Sequence, residues 1–292
     1  HPMYRRQRQM CIRDSTTLLL IMSLVSFSQN KKIENFKITI LSTMLSDIHV
    51  GEWGFSAMIE ADGKKILFDA GSRENTVLQN ARELNISLEN IKDVFISHNH
   101  KDHTGGLLKI KENYPNSFTD AHVGQGIFYS RPYENGSEHY ILKNKNKLDK
   151  LGVKFIRHYK PAEIMPGIWT TGYVPRKYDE KNWSQLSKLI TEKGIKIEDT
   201  VPEDQSLFFD TENGIVLISG CGHAGLANTL DHVKKIMPGR PIYKILGGFH
   251  LLKLNEKKLK WTAQKMKEAG IKYFVGAHCT GINSTYAIRS YM

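Results

Sequence analysis

Cysteine is scarce: the chain of 292 residues carries three, at positions 11, 221 and 279. A fold held together by a disulfide framework is thereby excluded, and one bridge is the most that residues 221 and 279 could supply. Also missing are blocks of five like charges, internal repeats and a linker that would mark a second domain. No apolar run is long enough to cross a membrane. The longest, "TTLLLIMSLVSFS" at residues 16–28, falls short of the roughly 20 apolar residues a spanning helix needs.

What is present suits an ordered globular protein. Hydrophobic residues make up 40% and charged residues 24% of the chain, enough to bury a full core. The formal charge is +11, and residues 1–29, with four arginines and one aspartate, carry +3 of it, which leaves +8. The remaining lysines are scattered through helical-looking stretches such as 253–267, which reads as a solvated basic face. Attraction of an anionic substrate is the functional alternative.

The first fifteen residues, "HPMYRRQRQMCIRDS", have no starting Met and no apolar period, and read as non-native sequence. The apolar segment at 16–28 ends in small residues and is followed by "QNKK". It suits the core of a truncated signal peptide, with a buried first helix or strand as the alternative. On this reading residues 1–29 lie outside the fold, 30–292 form the domain, and the protein is exported to the periplasm or the extracellular space. The stretch 282–292 reads as the start of a strand or helix without closure, so C-terminal elements are expected to be missing.

Between these ends, strands alternate with helices. Alternation predicts strands at 36–41, 94–97, 154–156, 168–171, 207–210, 216–219, 243–247 and 273–277, a hairpin from 55–60 and 65–68 around "ADGK", and helices at 74–84, 224–236 and 256–269. Hairpins mixed with crossovers argue for a layered α/β sandwich. Residues 128–150 are polar and lysine-rich and read as a surface insertion or lid.

One stretch concentrates the chemistry: "ISHNHKDHTGG", residues 96–106, puts three histidines and an aspartate into six residues directly behind an apolar run. His98 and His100 are two apart and point the same way on an extended segment, while Asp102 and His103 follow as the chain turns at Thr104-Gly105-Gly106. Imidazoles and a carboxylate converging on one point suit a borderline metal such as zinc, manganese or iron. Cys221 and Cys279 each sit within two residues of a histidine, in "CGH" and "HC", so metal ligation or a place lining the site competes with a disulfide.

"SHNHKDHTGGL" resembles the H-x-H-x-D-H signature of the metallo-β-lactamase superfamily, which implies a four-layer αββα sandwich. "ILFDAG" (66–71) resembles the strand and turn before that signature, and "PEDQSL" (202–207), "ISGCGHAG" (218–225), "LGGFHL" (246–251) and "AHCTG" (277–281) resemble the branch of 7,8-dihydropterin-6-yl-methyl-4-(β-D-ribofuranosyl)aminobenzene 5′-phosphate synthase-like proteins. Trp53 and Tyr173 stand where that branch more often has a histidine and an acid.

The resemblance implies two divalent ions, zinc foremost. His98, His100 and His223 would hold one; Asp102, His103 and His278 would hold the other. Cys221 stands where the superfamily's acidic bridge is expected, and either ligates or lines the site. Asp69 would orient a ligating histidine, or else cap the following helix as a turn aspartate. His250 would contact substrate or act as an acid, unless it is structural. Asp204 and Gln205 are weaker candidates for contacts behind the ligands or to substrate, and His122, His139, His158 and His232 are read as ordinary histidines.

The expected activity is that of a dinuclear metal-dependent hydrolase or phosphate-ester-processing enzyme, in which a metal-bound hydroxide attacks a small, anionic substrate and Asp102 doubles as ligand and proton acceptor. A lactonase or β-lactamase is the alternative, although the Thr-Pro-Gly-His-Thr type motif usual there is missing. No long C-terminal nucleic-acid domain accompanies the motifs, so nucleic acid is not an expected partner.

Overall fold

A computed structural model describes residues 32–180, 182–183 and 187–292. They fall in one compact unit, Lys31–Met292. The segment read as a signal peptide lies outside the described residues.

The first half builds a six-stranded sheet in the order β1 (Phe36–Ser42), β2 (Ser56–Ala61), β3 (Lys64–Phe68), β4 (Asp93–Phe95), β5 (Asp120–Gly124) and β6 (Lys154–His158). The pairs β1–β2 and β2–β3 are antiparallel, and the rest are parallel. Helices α1 (Thr76–Glu83), α2 (Lys101–Thr104), α3 (Leu107–Asn113) and α4 (Tyr140–Lys150) make the crossovers. The second half builds another six-stranded sheet from β7 (Ala162–Met165), β8 (Ile168–Thr170), β11 (Ser206–Thr211), β12 (Gly214–Ser219), β13 (Ile242–Gly247) and β14 (Tyr273–Gly276). A small ribbon, β9 (Lys188–Ile190) with β10 (Lys196–Glu198), lies apart from it. In the second sheet β12, β13 and β14 run parallel, connected by α5 (Leu226–Ile236) and α6 (Glu256–Ala269), and α7 (Ile282–Tyr291) closes the described chain.

Strand periodicity sorts the apolar side chains into layers. On β12, Ile215 and Leu217 join a cluster with residues of α5, α6 and α7, whereas Val216 and Ile218 join a cluster between the sheets. The first sheet does the same: Met58, Leu67 and Val94 face the helix-side core, while Ile59, Phe68 and Phe95 face the other sheet. Three apolar cores between four layers make this an αββα sandwich, as expected from the resemblance.

One expectation is corrected. The stretch 128–150 is more than a surface insertion, because 140–150 forms α4 and its Ile141 and Leu148 are fully buried in the first helix-side core. Lysines on the outer face hid a short apolar stripe at helical spacing. Residues 282–291, read as the start of a strand or helix, form α7, which places Ile288 in the second helix-side core, with Ala287 and Tyr291 against it. Helix α6 matches its expected bounds because its ends are written locally. Asn255 accepts a hydrogen bond from the Lys258 amide at 3.0 Å, and Gly270 takes the left-handed conformation at the C-terminus.

Parallel strands deliver functional groups at their carboxyl ends. Asp69 follows β3, His98 follows β4, Cys221 and His223 follow β12, His250 follows β13 and His278 follows β14.

Candidate metal centre

The carboxyl ends of these strands meet where two glycines remove steric bulk. A Cβ on Gly220 would strike Ser97 Oγ and Asp69 Oδ2, and one on Gly248 would strike the Gly220 carbonyl and Cys279 Sγ. Asp69, His250 and His278 adopt left-handed backbone conformations, with φ of 52°, 50° and 45°. Such conformations cost about 1–3 kcal/mol each in a non-glycine residue and concentrate where side chains must be aimed.

A network behind the histidines fixes their tautomers. Asp69, fully buried, accepts hydrogen bonds from the Ser97 amide at 2.7 Å, from Ser97 Oγ at 2.7 Å and from His103 Nδ1 at 2.6 Å. With its proton given to Asp69, Ser97 Oγ accepts from His98 Nδ1 at 2.9 Å. His223 Nδ1 donates to the Asn182 carbonyl at 2.5 Å. In all three rings the Nδ1 proton is committed, so the neutral form of each ring presents the Nε2 lone pair.

Those lone pairs converge. His98 Nε2 lies 3.0 Å from His100 Nδ1, and the His223 ring centroid lies 4.7 Å from that of His98 and 4.8 Å from that of His100. On the other side His103 Nε2 lies 3.2 Å from both His278 Nε2 and Cys221 Sγ, and His278 Nε2 lies 3.1 Å from Asp102 Oδ2. The donor atoms within mutual reach form the groups Asp102–His103–Cys221–His278, His98–Cys221–His223 and Cys221–His250–Cys279, with Cys221 common to all. His223 Nε2 is buried and has no hydrogen-bond partner, a costly state for a polar atom unless a ligand meets it. The residues present therefore fit divalent metal ions.

Electrostatics agree with that fit. Burial holds His98 and His223 well below the usual histidine range and His100 at about 4, so all three are neutral donors near neutral pH. Burial also opposes charge on His103, yet the carboxylates of Asp69 and Asp102 outweigh it and hold that ring up to about 9, a field that favours positive charge at this point. For Asp102, burial is outweighed by His103 and His278, which keep its carboxyl below the ordinary range. Burial pushes Asp204 up to about 7; its Oδ2 accepts from the Ala224 amide at 2.9 Å and its buried Oδ1 has no partner. His250 is raised, because Cys279, Asp204 and Asp102 outweigh its burial.

All seven residues read as ligands are thus brought to one place, with Asp69 behind them and His250 at the rim, its ring 4.8 Å from that of His223. Gln205 faces away from this centre. Its Oε1 accepts from Thr170 Oγ1 at 2.8 Å and its Nε2 donates to the Ile96 carbonyl at 3.1 Å, so the amide ties the two sheets together beneath His98. Cys221 and Cys279 are free thiols. Burial drives Cys221 up; at Cys279 burial is outweighed by contacts with Cys221, His250 and His278, which bring its thiol down.

Several participants escaped the sequence. Ser97 adjoins the signature and could have been inspected, but Asn182 carries no signal at all. His139, read as an ordinary histidine, stands near the centre: its ring lies 6.2 Å from that of His100 and stacks on Tyr133 at 4.7 Å. Tyr133, Lys101, Tyr140 and Lys143 line a cleft of about 770 Å³, joined to the centre through Lys101, which stands between His100 and Asp102. Opposite, Trp53 is 47% exposed and sits 4.9 Å from the His278 ring. Its neighbour Glu52 is buried and accepts from Ser72, Arg73 and Thr76, locking the loop that carries Trp53 against the start of α1.

Fold and site together define a protein of the metallo-β-lactamase superfamily, whose fold implies divalent metal ions. A solved metal-dependent hydrolase of the β-lactamase superfamily matches with a TM-score of 0.72 at 26% identity, over 88% of this chain and 93% of that one. A family model described as anti-Pycsar protein Apyc1 matches residues 36–121. The chain is 30% identical over 267 residues to the 7,8-dihydropterin-6-methyl-4-(β-D-ribofuranosyl)-aminobenzene-5′-phosphate synthase of Methanocaldococcus jannaschii, covering 87% of this chain and 90% of that one. It is 32% identical over 241 residues to an uncharacterized protein of the same organism, covering 79% and 85%. The chain belongs to the family of that synthase within the metallo-β-lactamase superfamily, and it is an enzyme.

Proposed function

We propose that the protein is a dinuclear metal-dependent hydrolase or phosphate-ester-processing enzyme acting on a small anionic molecule. The observation that carries this reading is the pair of donor groups meeting at Cys221, with the unpartnered His223 Nε2 in one and the Asp102–His103–His278 cluster in the other. His98, His100 and His223 would hold one ion, Asp102, His103 and His278 the second, with Cys221 between them; zinc suits this mixed nitrogen, oxygen and sulfur set best. When bound, such a pair acidifies water and offsets negative charge on the reacting centre.

The chain's own groups do the rest. Asp102, held ionised, has an oxygen turned to the donor cluster and accepts a proton there. His250, at the rim and raised by Cys279, Asp204 and Asp102 against its burial, is the group placed to give a proton to a leaving group. Lys101 and Lys143 line the adjoining cleft together with Glu134 and Glu138, so it offers both signs of charge to a polar substrate. A phosphate-bearing substrate agrees with the net basic charge of the chain and with the product in the name of the Methanocaldococcus relative.

The test is a turnover screen of metal-loaded protein against phosphomonoesters, phosphodiesters, lactones and β-lactams. Release from a phosphate ester is expected; ring opening alone, with no phosphate ester processed, overturns the substrate class. Export is part of the same proposal, supported by the apolar segment at 16–28. N-terminal sequencing of the natural protein is expected to find a start near residue 30, and retention of the segment in a cytosolic protein would refute it.

A further inference from the structure

Cys221 and Cys279 stand at the carboxyl ends of β12 and β14, and their sulfurs lie 3.2 Å apart, both thiols free. That is inside ordinary van der Waals contact. A disulfide bond is about 2.05 Å long, so the sulfurs need approach by only about 1.1 Å. No side chain intervenes, because the neighbouring residue 248 is a glycine whose missing Cβ leaves room for Cys279 Sγ. Cys221 also belongs to every donor group of the candidate metal centre, and Cys279 is bonded in sequence to His278.

We propose that Cys221 and Cys279 form an oxidisable pair, and that closing their disulfide dismantles the metal centre. The disulfide would take Cys221 from both ion sites and draw Cys279, with His278 attached, away from Asp102 and His103. Conversely, a metal-bound Cys221 sulfur has its lone pair engaged and is protected from oxidation. The consequence for metal rests on the dinuclear reading; the pairing of the thiols does not.

Both sulfurs are buried, Cys221 at 2% and Cys279 at 1% exposure, so the oxidant must be small, and hydrogen peroxide qualifies. One thiolate attacks a peroxide oxygen, the O–O bond breaks, and hydroxide leaves to be protonated to water, giving a sulfenic acid. The second sulfur attacks the first, the S–O bond breaks, a second water departs and the S–S bond forms. Two electrons pass from the thiol pair to peroxide, and both thiol protons end in water.

The experiment compares reduced metal-free protein with protein first loaded with Zn²⁺. Each is treated with hydrogen peroxide in native buffer, then denatured, alkylated and mapped by mass spectrometry; mapping separates this pair from Cys11. The metal-free sample is expected to lose two thiols as a linked 221–279 peptide, to fail to take up Zn²⁺ afterwards, and to recover both properties with dithiothreitol. The loaded sample is expected to keep its thiols. Cys279→Ser should abolish the linked peptide while still binding metal, which separates pairing from ligation. Sulfinic or sulfonic acid on either residue without a linked peptide overturns the proposal, as does a linked peptide in protein that retains its full zinc. A linked peptide in a protein that never binds zinc supports the thiol pair and overturns the dinuclear reading instead.

Discussion

His103 Nδ1 lies 2.6 Å from Asp69 Oδ2, and both side chains are completely buried. This bond turns His103 Nε2 toward Cys221 and His278, and the same carboxylate reaches His98 through Ser97. Asp69→Asn preserves size and removes the charge, so it should loosen one or both ions by roughly 10–100-fold, the usual cost of losing a carboxylate behind a ligating histidine. Metal affinity by chelator competition checks this. An unchanged affinity would mean that Asp69 serves the turn alone.

Metal content is the most direct consequence of the donor groups. Reconstituted protein should carry close to two divalent ions per chain, and removal with a chelator should abolish turnover and lower the melting temperature, since ions that bind only the folded state stabilise it by mass action. Elemental analysis of folded protein gives the answer, and absence of metal above background refutes the centre.

His223 and His250 neighbour each other with different expected roles. His223→Ala removes a donor and should weaken one ion while lowering turnover by orders of magnitude. His250→Ala should keep both ions and lose rate by roughly 10²–10⁴-fold, as for a missing general acid. Stoichiometry measured beside activity separates the two. A His250→Ala protein that loses an ion while His223→Ala keeps two would exchange the assignments.

Away from the centre, His122 joins Asp93 and His158 through its two ring nitrogens, each at 2.9 Å. Burial, then the neighbouring His122, lowers His158 from 6.5 to about 4. The unfolded chain therefore takes up a proton on this ring as pH falls below about 6.5, while the folded chain resists until about 4. Protons bound are greater in the unfolded state over that window, so this contribution to stability is full above it, declines as pH falls through it and levels off below. His158→Gln should flatten the decline. Urea melts of both proteins at several pH values between 7 and 4 test it, and parallel pH profiles would assign the acid sensitivity elsewhere.

Helix α4 is integral to the fold, with Leu148 fully buried in the first helix-side core. Leu148→Ala should cost about 2–5 kcal/mol, and Lys147→Ala, on the outer face, far less. Denaturant titration distinguishes a core helix from a detachable insertion.

The sequence by itself determined the class of fold, and it singled out most of the side chains that the structure gathers at the strand ends. Three histidines and an aspartate within six residues need no tertiary information to be recognised, since their neighbours in the chain already supply the converging donors. Strands such as β11 and β12 and the capped helix α6 were legible because periodicity, caps and glycines act over a few residues. What depends on distant partners was not legible. Helix α4 was masked by its lysine-rich outer face, and the tie between Asn182 and His223 joins residues 41 positions apart. Gln205 shared a motif with Asp204 but turned into the sheet interface, because Ile96 and Thr170 were there to satisfy its amide. Only the tertiary structure decided that Cys221 and Cys279, 58 positions apart, face each other as free thiols. Parallel crossovers bring strand ends together irrespective of separation along the chain, and no local pattern of residue types records which ends will meet.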